Sequence, residues 1–135
     1  MITAIDSNVL IDVLTADDQE GSRSGEAVRR ALAEGSIVAC DVVVAEVASW
    51  FPSVDIGAEA LRTLEVGFDP ISEDAAVAAG RAWRAYRDRG GTRARLIADF
   101  LIGAHAQAHA DRLLTRDRGV YRTYFADLAI VDPSR

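Results

Sequence analysis

Apolar residues fall into two rhythms along this chain, and their alternation predicts its architecture. Ile2/Ala4/Ile5, Ile37-Val38-Ala39-Cys40, Leu113-Leu114 and Leu128-Ala129-Ile130-Val131 are short, nearly continuous apolar runs. Such runs suit strands buried on both faces of a parallel sheet. Phe68-Asp69-Pro70-Ile71 is a further extended connection and a candidate third strand. Between the runs the apolar positions take helical spacing. Leu10, Val13 and Leu14 follow the polar turn Asp6-Ser7-Asn8. After a polar loop over Ala16 to Ser24, a helix is predicted from about Gly25 to Glu34, with Ala27, Ala31 and Leu32 inward and Gly35 ending it. Asp41 reads as the N-cap of a helix through about Trp50, although Val42-Val43-Val44 favours a strand by propensity. Helices are also predicted over Val54 to Val66, from Ser72-Glu73-Asp74 to Gly90-Gly91, and over Leu96 to Ala110, with a turn or short helix over Gly119 to Phe125.

Short strands alternating with helices make an α/β three-layer α/β/α fold around a short, mainly parallel sheet. At 135 residues, with no linker, repeat or low-complexity tract, the chain reads as a single domain over 1–135. No apolar run approaches the roughly 18 residues needed to span a bilayer, and the start carries no basic leader. Cys40 is the only cysteine, which fits a reducing cytoplasm and a role as small core filler. The expectation is a cytoplasmic protein with no membrane partner.

A strand that ends in a carboxylate and turns at once into a helix places that carboxylate at the ligand-binding edge of an open parallel sheet. Asp6 has this position. Three other acids reach equivalent places: Glu46 one turn past the second strand, Asp99 near the start of the Leu96 helix, and Asp117 after Leu113-Leu114. Gathered at one edge, unpaired carboxylates repel and raise each other's pKa, a cost that helix N-termini reduce and a divalent cation removes. An all-oxygen donor set suits Mg²⁺ or Mn²⁺ rather than Zn²⁺, and such a site is suited to phosphodiester hydrolysis. The competing reading is that these acids are helix caps and dipole partners.

Charge changes this picture less than it first suggests. The formal net charge of −6 opposes a polyanionic partner. All 15 basic residues, however, are arginines, which suit bidentate phosphate contacts. Setting four acids aside as metal ligands leaves the rest close to balance. The absence of lysine excludes phosphate-loop, Schiff-base, phospho-receiver and dehalogenase-like chemistries.

The segments D-S-N-V-L-I-D-V-L, V-V-V-A-E-V, I-A-D-F-L-I-G-A-H-A and L-L-T-R-D-R-G-V-Y, in this order and spacing, resemble the PIN-domain ribonucleases, and more narrowly the VapC-type toxins of bacterial toxin–antitoxin pairs. The resemblance implies a PIN-like fold and a Mg²⁺- or Mn²⁺-dependent endoribonuclease. It assigns metal contacts to Asp6 and Asp99, and to Asp117 directly or through water. Glu46 becomes an outer ligand or the group orienting the attacking water, and Asn8 and Thr115 support the carboxylates through hydrogen bonds. It further implies an RNA substrate, structured RNA such as tRNA being a frequent family target, a homodimer, and a cognate antitoxin whose tail enters the acidic groove. Alternatives are a PIN nuclease for RNA processing outside toxin–antitoxin systems and a catalytically silent binding module.

Other features have plain readings beside functional ones. His105 and His109, four apart, resemble half of a zinc site, but A-Q-A between them supplies no acid and no third ligand is evident, so satisfied or exposed helix histidines are expected. The six arginines from Arg81 to Arg95 form either an RNA path or a solvated face with local pairs such as Arg84–Asp88. Arg116 either contacts a scissile phosphate or pairs with a ligand carboxylate. Trp50, Trp83 and Tyr86 are expected in the core or an interface. Asp12, Asp17, Asp18, Glu73 and Asp74 are expected to be surface acids or caps.

Overall fold

In a computed structural model describing residues 1–92 and 97–134, five parallel strands form one sheet. They are β1 (Ile2–Ile5), β2 (Ser36–Ala39), β3 (Gly67–Phe68), β4 (Arg112–Leu114) and β5 (Ala129–Val131), in the spatial order β3-β2-β1-β4-β5. β1 is central, pairing Ala4 with Val38 on one side and with Leu113 on the other. With neighbours on both edges and helices over both faces, Ala4 and Ile5 are buried, which is why the run lacks polar alternation.

The helices are α1 (Ser7–Leu14), α2 (Gly21–Glu34), α3 (Asp41–Trp50), α4 (Val54–Thr63), α5 (Glu73–Asp88), α6 (Ile97–His109) and α7 (Gly119–Tyr124). The expected α/β/α layering is the one observed. Val42-Val43-Val44 lies inside α3: Val43 is fully buried, so tertiary burial outweighs β-propensity. The third strand forms, but it is Gly67–Phe68, ending before Asp69. The start of α2 corrects the predicted loop. Asp17 accepts the N–H groups of Gln19 and Glu20, both at 2.8 Å, and the helix begins at Gly21 rather than Gly25. Ser24, read as loop, is buried on its inner face.

The chain steps outward from β1 to β2 to β3, then crosses back to β4 and on to β5. The direction of winding therefore reverses between β1 and β4. In open parallel sheets a crevice forms beyond the strand ends at such a reversal. Asp6 and Thr115-Arg116-Asp117 are the residues that follow these two strands.

Phe100, fully buried on α6, is ringed by Trp83, Tyr86 and Tyr124 at centroid distances of 5.3–5.6 Å. Trp83 and Tyr86 thus meet the expectation of a packing role. Trp50 is 63% exposed and is not part of this core. Arg87 and Arg89 lie over the rings of Trp83 and Tyr124, at 5.8 and 5.7 Å. No Arg84–Asp88 ion pair forms among the described residues. Arg93, Arg95 and Leu96, expected to lead into α6, lie outside the described residues.

Candidate active site

Asp6 caps α1 from the end of β1, its carboxylate taking the Ser7 N–H at 2.7 Å. The cap reading is therefore correct as far as it goes. A surface cap would be exposed, whereas Asp6 is 5% exposed and receives two further donors, the Thr115 hydroxyl at 2.8 Å and the Tyr121 hydroxyl at 3.1 Å. Asn8 approaches both Asp6 and Thr115 at 3.5 Å, and its carbonyl accepts the Arg116 N–H at 3.3 Å. Thr115 in turn accepts the Asp117 N–H at 3.0 Å. Asn8 and Thr115 thereby tie the turn after β4 to the turn after β1.

Burial raises the Asp6 pKa above the ordinary carboxylate value; the Thr115, Tyr121 and Ser7 bonds oppose this, and the charge of Asp99 adds to it. Glu46 is likewise raised, first by burial and then by the charges of Asp6 and Asp99, while a 3.0 Å bond from Ser7 Oγ pulls the other way. Tyr121 is driven far up by burial and then by Asp6 and Asp99, with Asp117 contributing, and so remains a neutral donor. The four predicted acids thus share one electrostatic neighbourhood fed by β1, α3, α6 and the turn after β4. They are not drawn as tightly together as metal ligands. Among the described residues, the group of His, Cys, Asp and Glu whose donor atoms all lie within 4.8 Å of one another is Asp69, His105 and His109. Like charge keeps bare carboxylates apart, and a cation is what would let them close.

Two residues here were not singled out from sequence. Ser7 bridges Asp6 and Glu46, and Tyr121 reaches Asp6 from α7. The signal for Tyr121 was its place four residues beyond Asp117, within L-L-T-R-D-R-G-V-Y.

Arg116 pairs with a carboxylate, but not with one of the predicted ligands. Its Nε and Nη2 donate to Asp12 at 2.6 and 3.0 Å, a bidentate fork on an acid outside the predicted ligand set. Asp12, expected at the surface, is buried, and it also accepts the Ser24 hydroxyl at 2.9 Å. A cleft of about 450 Å³ lined by Thr3, Arg23, Arg30, Arg112 and Asp132 includes none of the four predicted acids, its arginine charge offset by Glu26 and Glu34.

The raised carboxylates set a pH dependence. The folded chain holds protons on Asp6 and Glu46 above the pH at which the unfolded chain releases them. Their contribution to stability is therefore greatest at acid pH and declines as pH rises from about 4 through the raised values. Glu46→Gln, which keeps an acceptor for Ser7, is expected to gain melting temperature relative to the wild type as pH rises from about 4 to 7 in EDTA. A difference that does not change with pH would remove the raised pKa of Glu46.

The family model described as PIN domain matches residues 3–126. Among solved structures, VapBC-1 from nontypeable Haemophilus influenzae aligns with a TM-score of 0.74 at 20% identity, covering 100% of both chains. FitAcB from Neisseria gonorrhoeae aligns at 0.72 and 21%, covering 100% of this chain and 99% of that one. VapC20 of Mycobacterium tuberculosis, a sarcin–ricin loop cleaving toxin, aligns at 0.65 and 13%, covering 90% and 94%. No curated protein matches the chain.

Proposed function

Since the chain belongs to the PIN domain family, we propose that it is a Mg²⁺- or Mn²⁺-dependent endoribonuclease, the toxin of a toxin–antitoxin pair. The observation that carries this reading is Asp6: a buried carboxylate at the winding reversal, raised in pKa, aimed on by three donors and sharing its field with Asp99. A carboxylate kept in so costly a place is better accounted for by a cation than by capping alone. The donors are hard oxygens, which fit Mg²⁺ or Mn²⁺. When bound, such an ion supplies an activated water and offsets charge on the phosphoryl oxygens.

Asp6, Asp99 and Asp117 would hold the ion. Thr115, Tyr121 and Asn8 keep Asp6 in one orientation, so that its position does not have to be set at the moment of reaction. Glu46 is exposed at the rim of the site with a raised pKa, and in this reading it would orient the attacking water and take its proton. The toxin assignment, an RNA substrate, a homodimer and a cognate antitoxin rest on the family resemblance. They are consistent with a neighbour such as VapC20, itself a loop-cleaving toxin. An acidic pocket would attract an arginine from an antitoxin tail.

The test is incubation of the purified chain with total RNA in Mg²⁺, Mn²⁺ or EDTA, beside Asp6→Ala. A discrete cut that needs the metal and disappears in Asp6→Ala is expected. Equal cutting by Asp6→Ala, or no cut by a preparation that mass analysis shows to be free of a bound partner, would overturn the reading.

A further inference from the structure

His105 and His109 stack on one face of α6, with ring centroids 5.0 Å apart. Sequence offered them no third ligand. The fold supplies one. Asp69, the residue after β3, is pinned by its own N–H to the Ala39 carbonyl at 2.9 Å. Its Oδ2 lies 2.8 Å from His105 Nε2 and 3.0 Å from His109 Nδ1. Two ring nitrogens from successive helical turns thus converge on a single carboxylate oxygen. We propose that Asp69, His105 and His109 form a second metal site, for Zn²⁺ or a similar transition-metal ion, separate from the acidic centre.

Chemistry separates the two sites. Imidazole with carboxylate suits Zn²⁺, Co²⁺ or Ni²⁺, whereas the acids at the sheet edge suit Mg²⁺ or Mn²⁺. Distance separates them too: His105 is six residues beyond Asp99 on α6, about 9 Å along the helix axis. Three protein donors around a tetrahedral ion stand roughly 3.3 Å apart, so the present 2.8 and 3.0 Å contacts need open by only a few tenths of an ångström.

The surroundings also fit. His109 Nε2 is 2.9 Å from Ser72 Oγ, which already accepts the Ala75 N–H as the cap of α5. A hydroxyl can donate or accept. Ser72 can therefore donate to Nε2 while Nδ1–H bonds Asp69, or accept from Nε2–H and leave Nδ1 free to ligate. A ligating histidine whose other nitrogen is held by such a partner is the usual arrangement at metal sites. The His105 side chain is 2% exposed and fixes the inner wall, while Asp69 at 36% and His109 at 23% leave the outer side open to water. A bound ion would tie the β3–α5 connection to α6.

The chain has only two histidines, so their ring nitrogens can be followed by NMR in the untagged wild type while Zn²⁺ is added. The same titration is repeated in Asp99→Asn, which weakens the acidic centre, so that Zn²⁺ taken up there is not counted at the histidines. Both rings are expected to shift together with one equivalent of Zn²⁺, and Co²⁺ in its place to give a tetrahedral visible spectrum. His109→Gln, at a half-buried position, is expected to weaken Zn²⁺ binding at least tenfold, with Asp69→Asn as a second variant should the first not fold. Ring nitrogens unmoved by Zn²⁺, or affinity unchanged in a folded variant, would overturn the site. Loss of RNA cleavage would not bear on it, since the binding readout is independent of activity.

Discussion

Asp99→Asn is expected to abolish metal-dependent cleavage while leaving the metal-free fold as stable as the wild type or more so. The two halves of this result have one cause. Asp99 raises the pKa of both Asp6 and Glu46 by its charge, and it adds to the field on Tyr121. An amide of the same shape removes that repulsion, so the bare fold loses a destabilising term. The hydrogen bonds around Asp6 come from Ser7, Thr115 and Tyr121, and the substitution touches none of them. The same amide deprives the proposed ion of a charged ligand. The activity loss should exceed the roughly 10–100-fold that follows removal of an outer-shell partner at a metal site. Melting curves with and without Mg²⁺ separate the halves: the wild type should gain stability from the ion by mass action, and the variant should gain much less. Cleavage at the wild-type rate would refute the role of Asp99. A marked drop in metal-free stability would instead place Asp99 among structural residues.

This trade between stability and function explains what could be read from sequence. β1 was legible because a central strand buried on both faces shows as an unbroken apolar run, and Asp6 was legible because that run stops on it. Glu46, Asp99 and Asp117 were legible by position relative to strand ends and helix starts, a property of chain order. What could not be read was pairing across distance. Asp12 sits among Leu10, Ile11, Val13 and Leu14 and looks like the polar side of α1. Its partner Arg116 is 104 residues away, and Ser24 lies in a segment whose glycines and serines imitate a loop. Asp69 is similar: it follows a two-residue strand and carries no periodic signal, so the histidines lacked a third member until α5 and α6 were packed together.

The second large effect is expected at Asp12. Asp12→Ala should destabilise the chain by about 3 kcal/mol, the lower end of what breaking a buried ion pair costs, because the Arg116 side chain is 33% exposed and keeps some solvent. For a domain of this size that corresponds to a fall of about 10 °C in melting temperature. Two losses add. The guanidinium fork loses both acceptors, and the Ser24 hydroxyl, fully buried, loses its carboxylate. Because Arg116 stands between Thr115 and Asp117, the slackening of its turn should also reduce cleavage, through the Thr115 bond to Asp6. A double-mutant cycle with Arg116→Ala decides what the arginine is for. If it is held by Asp12 as a structural fork, the double variant costs less than the two single changes together, and the two single variants lose activity alike. Additive stabilities would show that the pair contributes nothing. A much larger activity loss in Arg116→Ala than in Asp12→Ala, at equal folded fraction, would return Arg116 to the scissile phosphate.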